Sequence, residues 1–353
     1  MKKTLIALAV LAASSASMAQ VTLYGVADVA VGAMDKVVVT APAKAFNPVT
    51  GAAAAPAVNV MGMNNDKFQA IASNALNNGT SRFGLKGEED MGGGLKAGFN
   101  FEGGMSLADG SGNLSGGQLF SRAANVYLQG GFGRLTAGRT LTTSFYSIAS
   151  WELTGTANYS VVGSQFGFIS PAGPRDSAVI KYDMAASGFN ASASFVPEGN
   201  NVFTAGTPAT GKGKYDLSVG YAAGPLVASL AYNKIDASFE GVVVGGSYDF
   251  GMVKVAGSWS QIKDGAGTAL TEGYSLGASL PMGAFTFTAD LAQDTISKTA
   301  TNGRAGDGDT NLLLEAKYAL SKRTFVYGVY VMDGKGKQAD DVNGYALGLR
   351  HNF

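Results

Sequence analysis

The sequence lacks cysteine, contains a single histidine, His351, and carries charge on only 15% of its residues. Without cysteine, thiolate zinc sites, iron–sulfur clusters, disulfide scaffolds and cysteine nucleophiles are excluded. Lysine plus arginine equals aspartate plus glutamate, at 26 residues each. This balance argues against a nucleic-acid partner, because domains that bind nucleic acids usually have a basic excess. Beyond the N-terminal segment the sequence has no apolar run of about 18 residues, so no transmembrane helix is predicted.

Residues 1–19 have the pattern of a secretory signal peptide. Lys2 and Lys3 supply the positive charge, residues 5–13 form a short apolar segment, and residues 17–19 form a small-residue cleavage site. The apolar segment is too short to remain as a membrane-spanning anchor. We therefore expect an exported chain, with residues 20–353 forming one domain.

The remaining sequence repeats one pattern, in which apolar residues occupy every second position. Phe285, Phe287, Ala289 and Leu291, for example, are each followed by a polar or small residue. Side chains alternate between the two faces of a strand, so this period predicts strands with one apolar face. We predict sixteen strands, at residues 21–33, 80–89, 95–104, 120–130, 134–143, 176–184, 189–197, 215–223, 226–235, 241–250, 252–262, 272–280, 285–294, 310–319, 325–333 and 343–353.

The connections between these strands alternate between tight, glycine-containing turns and longer loops. Turns fall at residues 91–94, 130–133, 185–188 and 281–284, and the loops between them are rich in Gly, Asn and Asp. Short turns at one end and long loops at the other are typical of bacterial outer-membrane barrels, as are aromatic residues at strand ends. The strands are also longer than those of a soluble sandwich, the alternative all-β fold. The sequence thus predicts a closed, sixteen-stranded antiparallel transmembrane β-barrel with short periplasmic turns and long external loops.

Several motifs resemble the general diffusion porins of Gram-negative bacteria, in particular the group from Neisseria, Bordetella and Burkholderia relatives. They are VTLYG (21–25), SRFGLKGEED (81–90), GGGLKA (92–97), GRLTAGR (133–139) and the terminal LRHNF (349–353). The resemblance implies a multi-pass outer-membrane homotrimer with the third external loop folded into each pore. It implies contacts with outer-membrane lipid and lipopolysaccharide, and permeation by ions and small hydrophilic solutes. A barrel of sixteen strands is wide enough to keep an aqueous channel.

The C-terminal residue carries a separate expectation. Tyr345, Leu347, Leu349, His351 and Phe353 share one face of the last predicted strand. A terminal Phe on such a strand resembles the signal that the outer-membrane assembly machinery reads, although Phe353 also fits a girdle aromatic at the membrane interface. His351 on the same face is expected to be an interfacial ring rather than a catalytic base or a metal ligand.

No combination of residues predicts an enzyme, a cofactor site or a metal site. A Ser-His nucleophile would have to use His351. The sequence has no phosphate-binding glycine loop, and the acidic residues 88–90 lie beside a tight turn, where a solvated rim is the simpler interpretation.

Strand parity predicts which charged side chains face the lumen. Arg82 and Lys86 lie opposite in parity to Phe83 and Leu85, and Lys181 lies opposite to Ile180. The resemblance implies basic pore residues at the positions of Arg82 and Lys181. The same parity places four further charged residues inside: Asp28, Lys254, Glu315 and Lys317.

Two arginines conflict with parity. The resemblance implies a pore arginine at Arg139, but strict alternation places Arg139 on the outward side with Leu135 and Ala137, unless a bulge turns it inward. Arg122 raises the same conflict beside Val126. Both orientations stay open.

Residues 144–174 occupy the position of the third loop, and loops of this length are often functional. Glu152 is the only acidic residue in this loop, and Asp176 lies at its exit. The predicted constriction therefore comprises Arg82, Lys86, Arg139, Lys181, Glu152 and Asp176, with more basic than acidic residues. The predicted function is passive diffusion with a mild preference for anions. A channel specific for an anionic nutrient and a plugged barrel acting as an adhesin are the alternatives.

Overall fold

The computed structural model describes residues 21–35, 69–71, 75–113, 118–169, 173–199, 213–236, 238–296, 309–334 and 342–353. The predicted signal peptide and the Ala/Pro-rich run at residues 52–56 of the first loop lie outside the described residues, and the signal peptide stays a prediction. Among the described helices, none is long and apolar enough to cross a membrane.

Sixteen long strands form a single antiparallel sheet, as predicted. They are β1 (Thr22–Met34), β2 (Arg82–Gly92), β3 (Leu95–Met105), β4 (Ala123–Gly130), β5 (Gly133–Leu141), β6 (Arg175–Ala186), β7 (Phe189–Val196), β8 (Lys214–Ala223), β9 (Leu226–Ile235), β10 (Phe239–Asp249), β11 (Lys254–Asp264), β12 (Ala269–Met282), β13 (Phe285–Asp294), β14 (Asp309–Ala319), β15 (Thr324–Asp333) and β16 (Val342–Asn352). Two short pieces that the sequence did not predict, Gln69–Ile71 and Gly112–Asn113, extend the sheet at its loop end.

The sheet closes because β1 pairs with β16 on one side and with β2 on the other. The β1–β16 register runs from Val26 opposite Asn352 to Met34 opposite Gly344. Beyond the last strand, Phe353 and Gly25 exchange both backbone hydrogen bonds, at 3.0 and 3.1 Å. Closure leaves no unpaired edge, which a sheet in a bilayer requires because lipid offers no hydrogen-bond partners.

The two faces of the barrel wall differ as the alternation predicts. Large apolar side chains such as Leu217, Val219, Leu276 and Leu347 are exposed on the outer face. Their polar neighbours in sequence face the lumen, where Asp216 is fully buried. Short glycine turns join the strands at one end, and Gly93 and Gly94 of the first turn both have positive φ, which glycine adopts without a steric penalty.

The described residues of the third loop, 142–169 and 173–174, lie inside the barrel. The loop contains two short helices, α1 (Thr143–Ala149) and α2 (Val161–Phe166), whose first turns are capped by the hydroxyls of Thr142 and Ser160. Trp151 and Phe166 of this loop are almost completely buried. They belong to one hydrophobic cluster with Leu76 of the first loop and with inward-facing wall residues such as Val331. The main apolar core of the protein therefore lies within the lumen, between the loops and one side of the wall.

A glycine in the wall makes room for the loop. A Cβ on Gly245 of β10 would overlap the Trp151 ring, so only glycine fits at this position with the loop in place. The Trp151 indole N–H also donates to the Ser229 hydroxyl of β9, at 3.0 Å. The wall thus provides both the space and the polar partner that a buried tryptophan needs.

Candidate pore constriction

A cluster of arginines lies on the lumen side of the wall around Glu102 of β3. The Arg122 Nε donates to the Glu102 carboxylate at 2.6 Å, and the Arg82 Nε lies 3.5 Å from its other oxygen. The Arg175 Nε donates to the backbone carbonyl of Arg122 at 3.2 Å. Tyr24 of β1 donates to Glu102 at 3.0 Å. The Glu102 carboxylate therefore contacts two guanidinium groups directly, and a third guanidinium group lies beside them.

A fourth arginine, Arg350 of β16, joins Arg82 across the seam of the barrel. A Cβ on Gly79 would lie 3.0 Å from the Arg350 Nη1 and 3.7 Å from the Arg82 Nη1, so both guanidinium groups lie against this glycine. Arg350 donates to the Asn78 side-chain oxygen at 2.6 Å, and Arg82 donates to the Thr80 carbonyl at 2.9 Å. Neither of these acceptors carries a charge, so they hold the guanidiniums without neutralising them.

The sequence prediction included only Arg82 from this cluster. Arg350 could have been found, because it has the opposite parity to the outward residues Leu349 and His351. Glu102 could also have been found from the parity of Phe101. Arg122 precedes β4, where alternation no longer applies, and its side chain turns to Glu102 on the lumen side. The structure thus resolves the parity conflict at Arg122 in favour of the lumen.

Arg139 makes different contacts. In the pairing of β4 with β5, Arg139 lies opposite Ala124, on the face that Val126 and Leu128 expose outward. Its Nε donates to the Ser121 carbonyl and its Nη1 to the Ser177 hydroxyl, both at 2.6 Å. A register irregularity does occur here, between Gly138 and Thr140, but in the pairing with β6. Arg139 is therefore not among the guanidiniums around Glu102.

Lys181 points inward, as predicted, but lies between the wall and the third loop. Only 6% of the residue is exposed. Its ammonium group lies 3.0 Å from the Asp183 carboxylate and 4.2 Å from the centre of the Tyr146 ring of α1. Burial raises the pKa of the Tyr146 hydroxyl, so this ring stays neutral near pH 7. Lys181 thus supports the docked loop as a packed, paired cation.

Asp176, at the exit of the third loop, is equally engaged. Its carboxylate lies 2.8 Å from the Lys214 ammonium, and both residues are almost fully buried. Near this pair, Asp216 accepts hydrogen bonds from the backbone N–H of Ser144 at 3.0 and 3.1 Å and from the Ser144 hydroxyl. These contacts fix the exit of the loop and the start of α1 to the wall.

The hydrogen bonds of Glu152 connect residues within the third loop. Its carboxylate accepts from the Thr154 and Ser160 hydroxyls at 2.6 and 2.8 Å, and from the backbone N–H groups of Thr154 and Thr156 at 3.0 and 2.7 Å. The residue is 5% exposed. The one acidic side chain of the loop is therefore saturated by its own loop.

Glu315 and Lys317 of β14 hold the middle of the loop. Lys317 lies 3.0 Å from the Glu315 carboxylate and donates to the Thr154 carbonyl at 3.1 Å. The Tyr159 hydroxyl donates to Glu315. Burial and the neighbouring Glu315 carboxylate raise the pKa of Tyr159 well above its ordinary value, so the hydroxyl keeps its proton and remains a donor. Both residues are inward-facing, as predicted, and serve as loop contacts.

Of the remaining predicted lumen residues, Asp28 is the one beside the arginines, opposite Arg350 in the β1–β16 register. Asp28 is fully buried and accepts from Asn77, the Gly79 N–H and the Tyr327 hydroxyl at 2.7–3.0 Å, which fixes the end of the first loop. Lys86 is exposed, with its ammonium 5.3 Å from the centre of the Tyr24 ring. Lys254 pairs in register with Asp249 at the turn end of the barrel, away from the arginines.

Together these contacts divide the lumen into two sides. On one side, the acids of the third loop and of its supporting wall have partners of their own: Glu152, Asp176, Asp216 and Glu315. On the other side, Arg82, Arg122, Arg175 and Arg350 lie with two carboxylates, Glu102 and Asp28, and otherwise donate to neutral acceptors. The chemistry of this arrangement is that of a hydrated passage with a locally positive wall.

Comparison with known proteins identifies relatives over the whole chain. A family model described as Gram-negative porin matches residues 4–338. The chain is 32% identical to outer membrane porin protein 32 of Delftia acidovorans, with both chains covered completely. The solved anion-selective porin from Comamonas acidovorans has a TM-score of 0.71 at 24% identity, covering 95% of this chain and all of the other. A trimer form of OmpT, an outer-membrane protein of Vibrio cholerae, has a TM-score of 0.63 at 16% identity, covering 95% of this chain and 99% of the other.

Proposed function

The chain belongs to the Gram-negative porin family, and from this premise we propose that its channel prefers anions because of the wall formed by Arg82, Arg122, Arg175 and Arg350. As a member of that family it is a multi-pass outer-membrane β-barrel, and it forms a water-filled channel for passive diffusion rather than an enzyme active site.

One observation carries the proposal. Four arginines gather on one side of the lumen with two carboxylates, Glu102 and Asp28, while the acid of the opposing loop, Glu152, is bound within that loop. Charged side chains that line a narrow polar channel set its ion selectivity. A wall with more guanidiniums than carboxylates, facing a loop whose single acid is Glu152, raises the local concentration of anions and lowers that of cations. The anion-selective porin from Comamonas acidovorans is in keeping with this preference.

The test is a reversal-potential measurement in a KCl gradient across a planar bilayer. K⁺ and Cl⁻ have nearly equal mobility, so the sign of the reversal potential reports charge preference directly. We expect anion preference at 10 mM salt that weakens towards 1 M, because the Debye length falls from about 30 to about 3 Å. Cation preference in dilute KCl would overturn the proposal. Block of the KCl current by one anion at low concentration would instead indicate a channel specific for that anion.

We further propose a homotrimer that contacts outer-membrane lipid and lipopolysaccharide and whose Phe353 is read by the assembly machinery. The trimer form of the Vibrio cholerae OmpT supports the oligomeric state. Deletion of Phe353 should lower outer-membrane yield and leave unfolded chain in the periplasm, whereas an unchanged yield would leave Phe353 with a role at the barrel seam alone.

A further inference from the structure

The end of the first loop, residues 75–81, turns into the lumen just before β2 begins. Leu76 is fully buried in the hydrophobic cluster that contains Trp151 and Phe166 of the third loop. Asn77 and Gly79 bind the Asp28 carboxylate. The first loop therefore contributes a fixed element to the inside of the channel, beside the arginine wall.

Asn78 lies at the centre of this element, and its backbone N–H and both polar atoms of its side chain have partners. Its backbone N–H donates to the Tyr327 hydroxyl at 3.1 Å. Its side-chain N–H₂ donates to the Tyr159 hydroxyl at 2.7 Å and lies 3.5 Å from Glu315. Its side-chain oxygen accepts from Arg350 at 2.6 Å. The partners fix the orientation of the amide, because Arg350 can only donate and Glu315 can only accept.

The contact with Arg350 matters because the acceptor is neutral. An amide oxygen holds the guanidinium in place without adding a negative charge, whereas a carboxylate at this position would add a second acid beside Arg350, which already lies opposite Asp28 in the β1–β16 register. The neighbouring Gly79 lets Arg350 and Arg82 lie against the same point of the loop. Two like charges are thus kept together, although they repel each other.

We propose that Asn78 is a positioning residue for charge selectivity: it holds Arg350 in the constriction through a neutral acceptor and ties the first loop to Tyr159 of the third loop. The inference rests on the proposed anion preference of the arginine wall. It adds that the side-chain amide of Asn78, in the first loop, controls part of the preference for anions.

The experiment compares Asn78→Asp with Asn352→Asp. Asn352 also accepts from Arg350, through the Nε at 3.3 Å, so both substitutions place a carboxylate beside the same guanidinium. Only Asn78 also contacts Tyr159. We expect each variant to lower the Cl⁻/K⁺ permeability ratio about fourfold in 10 mM KCl, from the Coulomb interaction of one added charge about 8 Å from the ion path. Only Asn78→Asp should also raise open-channel current noise, because its carboxylate repels Glu315 and loosens the third loop.

An uncharged variant separates charge from general damage. Asn78→Ser, which removes both side-chain tethers without adding charge, should raise noise and change the permeability ratio by less than about twofold. Its folding, and that of Asn78→Asp, is checked by heat-modifiable electrophoretic mobility.

The outcomes for this inference and for the proposed function are distinct. The wild-type reversal potential alone tests anion preference. If the wild type prefers anions and Asn352→Asp shifts the ratio, while folded Asn78→Asp does not, Asn78 does not control Arg350 and the inference is wrong. Unchanged noise in both Asn78→Asp and Asn78→Ser would remove the proposed tie to the third loop.

Discussion

Replacing Arg82 with Gln removes one guanidinium from the wall and leaves the rest of the cluster in place. Arg82 is the more distant of the two guanidiniums at Glu102, at 3.5 Å against 2.6 Å for Arg122, so the carboxylate keeps its shorter ion pair. Gln also preserves a donor towards the Thr80 carbonyl, which Arg82 binds in the native protein. The substitution therefore tests charge with little structural change.

The size of the effect follows from Coulomb's law with screening. For an assumed separation of about 8 Å between the charge and the ion path, in a water-filled channel, one unit charge contributes about 0.5 kcal/mol before screening. Screening reduces this to about 0.4 kcal/mol at 10 mM salt and about 0.2 kcal/mol at 0.1 M. Because the anion loses this energy and the cation gains it, the Cl⁻/K⁺ permeability ratio should fall about fourfold at 10 mM and about twofold at 0.1 M. At 1 M, with a Debye length of about 3 Å, almost no change is expected.

The assay is the reversal potential in KCl gradients at several mean concentrations, with Lys254→Gln as the matched control. Lys254 also faces the lumen but lies at the turn end, beside Asp249 and far from the arginines. Arg82 begins β2 at the loop end and Lys254 begins β11 at the turn end, so the rise of about 3.3 Å per residue along a tilted strand separates them by roughly 20 Å, and the removal of Lys254 should change the ratio less than about 1.5-fold in 10 mM KCl. Equal shifts for Arg82→Gln and Lys254→Gln, or a shift that does not depend on salt, would refute the assignment of Arg82 to the constriction.

Three further predictions concern the loop and the seam. Trp151→Ala should detach the third loop from the wall, because truncating a buried Trp costs about 3–5 kcal/mol. We expect a larger and noisier single-channel conductance, and a conductance trace like that of the wild type would contradict this prediction. Gly25→Ala should impair closure of the barrel, because a Cβ at this position would overlap the Phe353 ring. The folded fraction in heat-modifiability gels measures the loss of closure, and a fully folded variant would show that the ring moves aside. The pKa of Tyr159 is raised in the folded protein, so its own contribution to stability is constant below its unfolded pKa of about 10 and is lost as the pH rises from there towards the folded pKa. Tyr159→Phe should therefore show a smaller loss of thermal stability between pH 9 and 11 than the wild type, and identical slopes would exclude this role.

Much of the barrel was predictable because strand alternation is a local property. The side chains of neighbouring residues in a strand point to opposite faces whatever the rest of the chain does. The pattern of Phe285, Phe287 and Ala289 was thus sufficient to place β13, and that of Phe83 and Leu85 to turn Arg82 inward. Strand ends were predicted less well. The predicted strand at residues 252–262 is β11, which runs from Lys254 to Asp264 in the structure, and its ends were misplaced because the alternation continues into the turn.

The sequence by itself therefore determined the number of strands, their faces and the closure that these faces require in a bilayer. Only the tertiary structure decided which charges meet. Asn78 and Arg350 are 272 residues apart in sequence, and Tyr159 and Glu315 are 156 apart. Glu152, the one acid of the third loop, became a fold-stabilising group because Thr154, Ser160 and the backbone satisfy it, which its spacing alone did not indicate. Local periodicity fixes the direction of a side chain, but the partner that it finds there depends on how the loops fold into the closed barrel.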